Sequence, residues 1–457
     1  MRIAFYTLGC KANQFDEAAM KQVLEGMDVE FVPFNNLADI YIINTCTVTA
    51  KTDYQARQAI RNAVKRCQMQ QSGSYKSKVI VTGCYAQVNK EEIKAIPGVS
   101  LVLGNQEKAK IDKYIGDFPE NGDSIIKVSE IINVSGFDSI EIKNFGNHTR
   151  AFVKIQDGCN SRCSYCIVPY ARGKNRSLEI EKVKIQIERL LEQGYREIVL
   201  TGIHLGTYGE DFCHGGNLSR LLQQIETIKG KFRIRLSSIE PLEITDELIN
   251  VIASSERIAP HLHIPLQSGD DEILKKMNRN YNAGFYKDLV AKLINKIPNL
   301  NIGADVIVGF PAETDDQFKK TYMLINGLPL SYLHVFPFSK RALTPAALLP
   351  EQITHSVCKE RSSILRELGE KKKLEFRTRF IGKTMSVLVE EKKDRETGLY
   401  KGFTENYIPV LFNGKNEFKK KLIPVKLNRI EGNRVFGEIN ISLYSEDTPL
   451  YLKHRLP

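Results

Sequence analysis

Cys10, Cys46 and Cys84 occur as LGC, NTC and TGC, each directly after an apolar run, 36 and 38 residues apart. That interval is about one strand-plus-helix unit, and it constrains the fold more than any other feature of the chain. In an open parallel sheet, ligands bind beyond the carboxyl ends of the strands, so three such strands would deliver three thiols to one edge. The residues between agree. Residues 2–8, 40–44, 78–82 and 99–103 read as strands, and 16–27, 52–67 and 91–96 as helices. Strands alternating with helices predict a doubly wound parallel sheet over residues 1–118. Cysteine is common in cores, but identical placement at three strand ends argues for one shared site. Three cysteines suit a cluster with one exchangeable iron.

Residues 119–149 are rich in Pro, Gly, Asn and Asp and read as a linker with room for one edge strand. The alternation then resumes on a longer scale over residues 150–375. Strands are expected at 151–156, 197–201, 233–237, 261–265, 303–308 and 332–336, with helices at 179–193, 218–228, 284–297 and 315–326. Six such units suggest an open, partial (β/α)6 barrel, whose loops at the strand C-termini carry chemistry. Directly after the first of these strands comes DGCNSRCSYCIVPYARGKNRS, which spaces Cys159, Cys163 and Cys166 as C-x3-C-x2-C. Structural zinc would want four protein ligands, and a disulfide leaves one cysteine over. Three thiolates on one loop suit a [4Fe–4S] cluster with one iron open to substrate chemistry. Cys67, Cys213 and Cys358 stand outside both patterns and read as structural.

The chain carries 65 Lys+Arg against 54 Asp+Glu, a net charge of +11. This favours an anionic partner such as nucleic acid. Residues 376–457 change texture to short strand-like runs between Gly and Asn turns, which predicts a small all-β barrel. Residues 377–457 hold 16 Lys+Arg and 10 Asp+Glu, so about half of the excess lies there. No apolar run reaches the ~18 residues of a membrane span, and the first residues, MRIAFYTLGCKANQF, turn polar too soon for a signal peptide. A cytoplasmic protein without membrane contact is expected.

The C-x3-C-x2-C loop on a partial barrel, with the aromatic Tyr165 before its third cysteine, resembles the radical S-adenosylmethionine (SAM) superfamily. The whole chain resembles its methylthiotransferase family. The matching segments include TLGCKANQFD (7–16), NTCTVT (44–49), TGCYAQ (82–87), LTGIHLGTYGED (200–211) and SSIEP (237–241). HIPLQSGDDEIL (263–274), ADVIVGFPAET (304–314) and HVFPFSKRALTPAA (334–347) complete them. The resemblance implies two [4Fe–4S] clusters, an auxiliary one on Cys10, Cys46 and Cys84 and a radical one on Cys159, Cys163 and Cys166. It also implies two uses of SAM, one as methyl donor and one as radical source, to place a methylthio group on an unactivated aromatic carbon. Side-chain acid–base chemistry has little grip on such a C–H bond, whereas a cofactor radical does.

Further expectations follow from the resemblance and from the barrel's functional face. Gly202, His204, Ser238, Glu240, Gln267 and Ser268 follow successive barrel strands, with Tyr165, Gly202, Ser238, Glu240 and Gln267 taken as SAM contacts. The C-terminal β domain resembles the TRAM domain, an RNA-binding barrel, with Arg377, Arg379, Lys419, Lys420, Lys421 and Arg429 as candidate phosphate contacts. Within the family, the CKANQFD start resembles the subgroup acting on N6-threonylcarbamoyladenosine beside a tRNA anticodon. Leu343, where Gly is usual, and Ala12, where Val is common, are its departures. The threonylcarbamoyl group carries a carboxylate, for which Arg172, Lys174, Arg176, Lys340 and Arg341 are candidate partners. A flavodoxin- or ferredoxin-type electron donor and a monomeric enzyme are expected. The alternatives are the same chemistry on N6-isopentenyladenosine in tRNA or on a ribosomal-protein aspartate, and a non-catalytic iron–sulfur RNA-binding protein.

Overall fold

The computed structural model describes residues 1–69, 77–116, 118, 123–138, 140–146 and 148–440. Parts of the expected linker (119–122, 139 and 147) and the end of the expected β domain (441–457) lie outside the described residues. The first unit runs β1 (Arg2–Thr7), α1 (Lys11–Leu24), β2 (Glu30–Val32), β3 (Ile40–Thr45), α2 (Ala50–Met69) and β4 (Lys78–Gly83). It continues with α3 (Cys84–Val88), α4 (Lys90–Lys94), β5 (Leu101–Leu103) and β6 (Ile125–Lys127). The strands form one parallel sheet in the order β2-β1-β3-β4-β5-β6. All six residues of β3 are buried, the pattern of a strand covered on both faces. One face packs Ile60, Val64, Tyr85 and Ile93 from the helices, and the other packs Met20, Leu24 and Ile111.

Two details differ from the sequence reading. The three-residue edge strand β2 was not expected, because so short a run carries no period. Helix α1 starts at Lys11 rather than at residue 16, with Cys10 as its N-cap. Its first turn, Lys-Ala-Asn-Gln, lacks the apolar rhythm by which a helix is recognised. The edge strand in the linker is β6.

The barrel follows as β7 (Ala151–Lys154), β8 (Gln156–Asp157), α5 (Val168–Arg172), β9 (Arg176–Ser177), α6 (Ile180–Glu192) and β10 (Glu197–Thr201). Then come α7 (Leu218–Glu226), β11 (Arg233–Leu236), α8 (Asp246–Ser254), β12 (His261–His263), α9 (Asp271–Lys276) and α10 (Ala283–Lys296). It ends with β13 (Asn301–Val308), α11 (Asp315–Gly327) and β14 (Tyr332–Pro337). β7, β10 and β11 pair in parallel, as do β12, β13 and β14. Bridges Ile234–Ile258 and Ser238–His263 join the halves into an open six-stranded barrel. Several helices begin on a side-chain cap that satisfies free backbone N–H groups. Asn217, Thr245, Asp270 and Asn282 each do this, and Thr314 with Gln317 forms a capping box.

The 24-residue α12 (His355–Thr378) packs along β14 and leads to a closed barrel. Its strands are β15 (Thr384–Val389), β16 (Tyr400–Thr404), β17 (Pro409–Phe412), β18 (Leu422–Glu431) and β19 (Arg434–Ile439). The turn after β16 sits against the inside of the partial barrel. Arg233 donates to the Ser386 and Phe403 carbonyls at 3.2 and 2.8 Å, and Asn301 to the Asn406 carbonyl at 2.6 Å. The Arg235 guanidinium lies 4.4 Å from the centre of the Tyr407 ring. No helix among the described residues is long and apolar enough to cross a membrane.

Candidate cluster sites and the cavity between the domains

Cys10, Cys46 and Cys84 all follow strands of the first sheet, β1, β3 and β4, which straddle the reversal of strand order between β1 and β3. Gly9 and Gly83 make the bends. Both have positive φ, and a Cβ on Gly9 would lie 2.6 Å from the Cys46 Cβ, while one on Gly83 would lie 2.3 Å from the Thr45 carbonyl oxygen. Only glycine tolerates both demands. Asn13 donates to the Leu8 and Thr45 carbonyls at 2.7 and 3.0 Å, and Asn44 donates to the Asn13 carbonyl at 2.9 Å. These bonds fix the ends of β1 and β3 to each other, and Thr45 donates to the Thr82 carbonyl of β4 at 2.6 Å. Cys46 is buried, Cys84 partly buried and Cys10 exposed. Burial, with smaller contributions from the Cys84 and Cys10 sulfurs, pushes the Cys46 thiol up to about 12.

The second triplet lies on the loop after β8. Gly158, at φ +76°, approaches the turn between α5 and β9 so closely that a Cβ would stand 1.8 Å from the Lys174 carbonyl oxygen. Cys159 N–H donates to the Gly173 carbonyl at 3.0 Å, and Ser164 N–H to the Met277 carbonyl at 3.0 Å. Gln156 donates to the Gly158 carbonyl and accepts from His204 N–H, both at 2.7 Å. Tyr165 packs with Ile273, Met277, Ile307, Phe310 and Ala346, which anchors the loop between its second and third cysteines. Burial, then the sulfurs of Cys163 and Cys159, pushes the Cys166 thiol up to about 12 despite a backbone hydrogen bond that lowers it.

One sulfur of the first triplet and two of the second face a nitrogen donor. Arg172 Nε donates to Cys84 Sγ at 3.2 Å, and Arg279 to Cys163 Sγ at 3.3 Å. His204 Nδ1 lies 3.3 Å from Cys159 Sγ. Burial would lower the His204 pKa, but bonds to Cys159 and Glu243 raise it to about 10. Arg172 belongs to a buried network crossing from the barrel to the first domain. It contacts Asp16 at 3.0 Å and Asp157 at 3.2 Å, while Lys154 contacts the same two carboxylates at 2.7 and 3.0 Å and Lys108 contacts Asp16 at 2.7 Å. Burial would lift the Asp16 carboxyl, but Lys108, Lys154 and Arg172 hold it well below the usual carboxylate range. Three cations thus face two carboxylates, and the unmatched charge is aimed at Cys84.

This donor set fits iron–sulfur ligation. Anionic sulfurs are what the nitrogen donors would stabilise, and hydrogen bonds to sulfur are a main control on cluster potential. A single ion fits less well. Among the described residues, the group of three possible ligands whose donor atoms all lie within 4.8 Å of one another is His263, Asp305 and His334, not either triplet. Sulfurs on one tetrahedral zinc stand only about 3.8 Å apart, given Zn–S bonds of ~2.3 Å.

Apart from Tyr165 on the cluster loop, the expected SAM contacts follow the C-terminal ends of barrel strands. Glu240 is held in an ion pair by Arg279, the residue that also donates to Cys163. Gln267 is buried with φ +65°, and its backbone pairs with β13 through Asp305 and Ile307. Ser238 is exposed, and Gly202 packs so close to Gln156 that a Cβ would lie 2.7 Å from its Oε1. Of the five cations assigned to a substrate carboxylate, three are already engaged. Arg172 is 1% exposed, Arg176 is buried and donates to the Arg172 carbonyl, and Arg341 is buried against Thr47 and Asp53. Lys174 and Lys340 are exposed. In the small barrel, Lys420 pairs with Glu391 at 3.7 Å, Lys419 is partly buried, and Lys421 is exposed. Arg377 donates to the Asn433 carbonyl, Arg379 lies over Phe376 and Arg429 pairs with Glu431.

Sequence reasoning missed three features. Arg279 is 116 residues from the sulfur it contacts, and no local pattern announces it. The His263–Asp305–His334 group comes from three different strands, with His263 Nε2 2.8 Å and His334 Nδ1 3.3 Å from one Asp305 oxygen. The third is a cavity of about 1130 Å³ between all three domains, with Lys11, Arg150, Phe152, Arg235, Phe403 and Tyr407 among its walls.

The radical SAM superfamily matches residues 153–325, and an uncharacterized protein family, UPF0004, matches residues 2–104. A threonylcarbamoyladenosine tRNA methylthiotransferase, MtaB, of Bacillus subtilis is 41% identical over 428 residues, 93% of each chain. A tRNA-2-methylthio-N(6)-dimethylallyladenosine synthase of Fusobacterium nucleatum is 34% identical, over 96% of this chain and 99% of that one. Among solved structures, the radical SAM methyltransferase TsrM of Kitasatospora setae shares the fold. Its TM-score is 0.55 at 15% identity, over 76% of this chain and 75% of that one. These matches span both cysteine-bearing domains, and the chain belongs to the radical SAM methylthiotransferases of tRNA, in the subgroup its MtaB relatives define.

Proposed function

We propose that the protein inserts a methylthio group at C2 of N6-threonylcarbamoyladenosine next to the tRNA anticodon. In this reading Cys10, Cys46 and Cys84 hold an auxiliary [4Fe–4S] cluster, and Cys159, Cys163 and Cys166 hold the radical SAM cluster. Together with SAM, these groups supply a methylated sulfur and a radical able to take hydrogen from an unactivated aromatic carbon. The observation that carries the reading is Arg172. It stands six residues beyond Cys166 and touches the sulfur of Cys84, so one loop belongs to both cysteine sites. A substrate base held beside that loop would be within reach of both.

The chain's own groups have distinct tasks. Arg172, Arg279 and His204 would stabilise negative charge on Cys84, Cys163 and Cys159. Tyr165 holds the cluster loop against the barrel, and the segments after β10, β11 and β12 supply Gly202, Ser238, Glu240 and Gln267 toward SAM. Glu240 serves there through its ion pair with Arg279, which keeps that cation in place. Lys174 and Lys340 are exposed cations near the loops, and the small barrel's Lys419, Lys420 and Lys421 would add sequence-independent phosphate contacts. The enzyme is read as a monomer that takes electrons from a flavodoxin- or ferredoxin-type protein.

Nucleoside mass spectrometry of tRNA from cells with and without the gene tests the reading. Loss of 2-methylthio-N6-threonylcarbamoyladenosine with accumulation of its unthiolated precursor is expected. Loss of the isopentenyl analogue instead would overturn the substrate assignment and leave the chemistry standing.

A further inference from the structure

The cavity between the domains has an excess of positive charge at its inner end. Arg150, Arg233 and Arg235 converge on the single carboxylate of Glu197, and Arg150 also reaches Glu390 at 2.8 Å. Glu405 is the other carboxylate near these arginines. Lys11 enters this already basic place from the first turn of α1 and shares the cavity wall with Arg150 and Arg235. Its ammonium makes no hydrogen bond or ion pair among the described residues. A partly buried cation without a partner of its own is costly unless an anion joins it. The cavity has the space for one: about 1130 Å³ exceeds the usual range for small-molecule pockets. Its walls include the rings of Phe152, Phe403 and Tyr407.

We propose that Lys11 binds an oxyanion of the substrate tRNA in this cavity and is a substrate-binding residue for the reaction. The oxyanion is either the carboxylate carried by the hypermodified adenosine or a phosphate of the neighbouring backbone. The inference rests on the functional reading above. It places the recognised anion one residue from Cys10, so recognition and the sulfur-bearing site share the N-terminal turn of α1. It also assigns the role to a residue distinct from Arg172, Arg176 and Arg341, whose side chains are committed elsewhere.

The test measures equilibrium binding of anticodon stem-loop RNA to the cluster-loaded enzyme, without reductant. The RNAs carry either N6-threonylcarbamoyladenosine or plain adenosine, and the enzymes are wild type, Lys11→Gln and Lys11→Arg with iron content checked. Loss of one charge-assisted hydrogen bond weakens binding about tenfold or more. If the carboxylate is the ligand, Lys11→Gln weakens only the threonylcarbamoyl RNA and Lys11→Arg keeps most of the affinity. If a phosphate is the ligand, both RNAs weaken alike and the salt dependence falls by about one phosphate's worth. Unchanged binding of both RNAs by Lys11→Gln overturns the proposal. On the wild-type protein, acylation of Lys11 by an amine-reactive reagent should be blocked by the RNA, and equal labelling with and without RNA also overturns it. Wild-type turnover is followed in parallel. Absence of methylthiolation of the threonylcarbamoyl RNA sinks the functional reading, while the binding and labelling results still decide Lys11.

Discussion

Replacing Arg172 with methionine removes a buried guanidinium while keeping most of its volume. Its contacts at 3.0 and 3.2 Å to Asp16 and Asp157 are each worth roughly 5 kcal/mol of Coulomb attraction at an effective dielectric of about 20. Most of that offsets desolvation and repulsion from Lys108 and Lys154. Deleting one partner of a buried ion network typically costs about 3–5 kcal/mol. Here the lower end is expected, because Asp16 and Asp157 keep Lys108 and Lys154 and four charges remain balanced. The network joins two domains, so the cost should appear as easier opening between them. A loss of about 3 kcal/mol raises the open population roughly 150-fold. Native-state proteolysis of the cluster-loaded enzyme reads this directly, since cleavage of a transiently opened form tracks its population. The sulfur of Cys84 loses its donor too, so the auxiliary cluster's midpoint potential should fall, by on the order of 60 mV for a differential of ~1.4 kcal/mol. Less than a tenfold change in cleavage, with iron content and potential intact, would refute the idea that Arg172 couples the two sites.

Other expectations can be checked separately. Burial pushes Glu405 up to about 7, above its value in an unfolded chain, so the folded state holds an extra proton between about pH 4.5 and 7. Its contribution to stability therefore falls as pH rises through that window, by about 3 kcal/mol at most. Glu405→Gln should remove this slope from the difference between variant and wild-type unfolding curves, and identical slopes would count against it. Cys84→Ala and Cys159→Ala should each lower iron per chain by about one cluster's worth, and a variant that keeps full iron would exclude that cysteine as a ligand. Gly158→Ala forces both a left-handed backbone and a clash with the Lys174 carbonyl, so it should abolish iron uptake at the second triplet while the first still loads. Asp305→Ala removes the shared acceptor of His263 and His334. It should release His334, seen by NMR as a gain in mobility of that ring, with an unchanged ring signal arguing against the contact in solution.

The three-domain pattern was legible because each domain carries a different hydrophobic period. The strand at 197–201 matches the sequence reading in full, since it is a short apolar run bounded by turn residues. Both cysteine sets were legible because spacing is a one-dimensional property. What surrounds the sulfurs was not. Arg172 looked like a substrate-facing cation, as it stands in a basic stretch beside the loop. Only the folded chain shows that Asp16, 156 residues earlier, already claims it. Lys11 was overlooked because its significance lies in what it lacks, and the want of a partner is a property of three dimensions. Helix α1 was started late for a related reason: its first turn is polar because it faces the other domains.

The union between the first domain and the barrel also bears on how a bulky RNA gains entry. Parting them would break the Asp16 contacts of Lys154 and Arg172, the Arg172–Cys84 bond, the Arg341–Asp53 pair and the 2.6 Å bond from Asn105 to the Ala171 carbonyl together. Extruding one nucleotide from its stack costs a few kcal/mol. The cheaper accommodation is made by the guest. If the substrate is an anticodon-loop base as proposed, the joined domains would act as a fixed gauge, and the loop would present a single extruded base to fit between them.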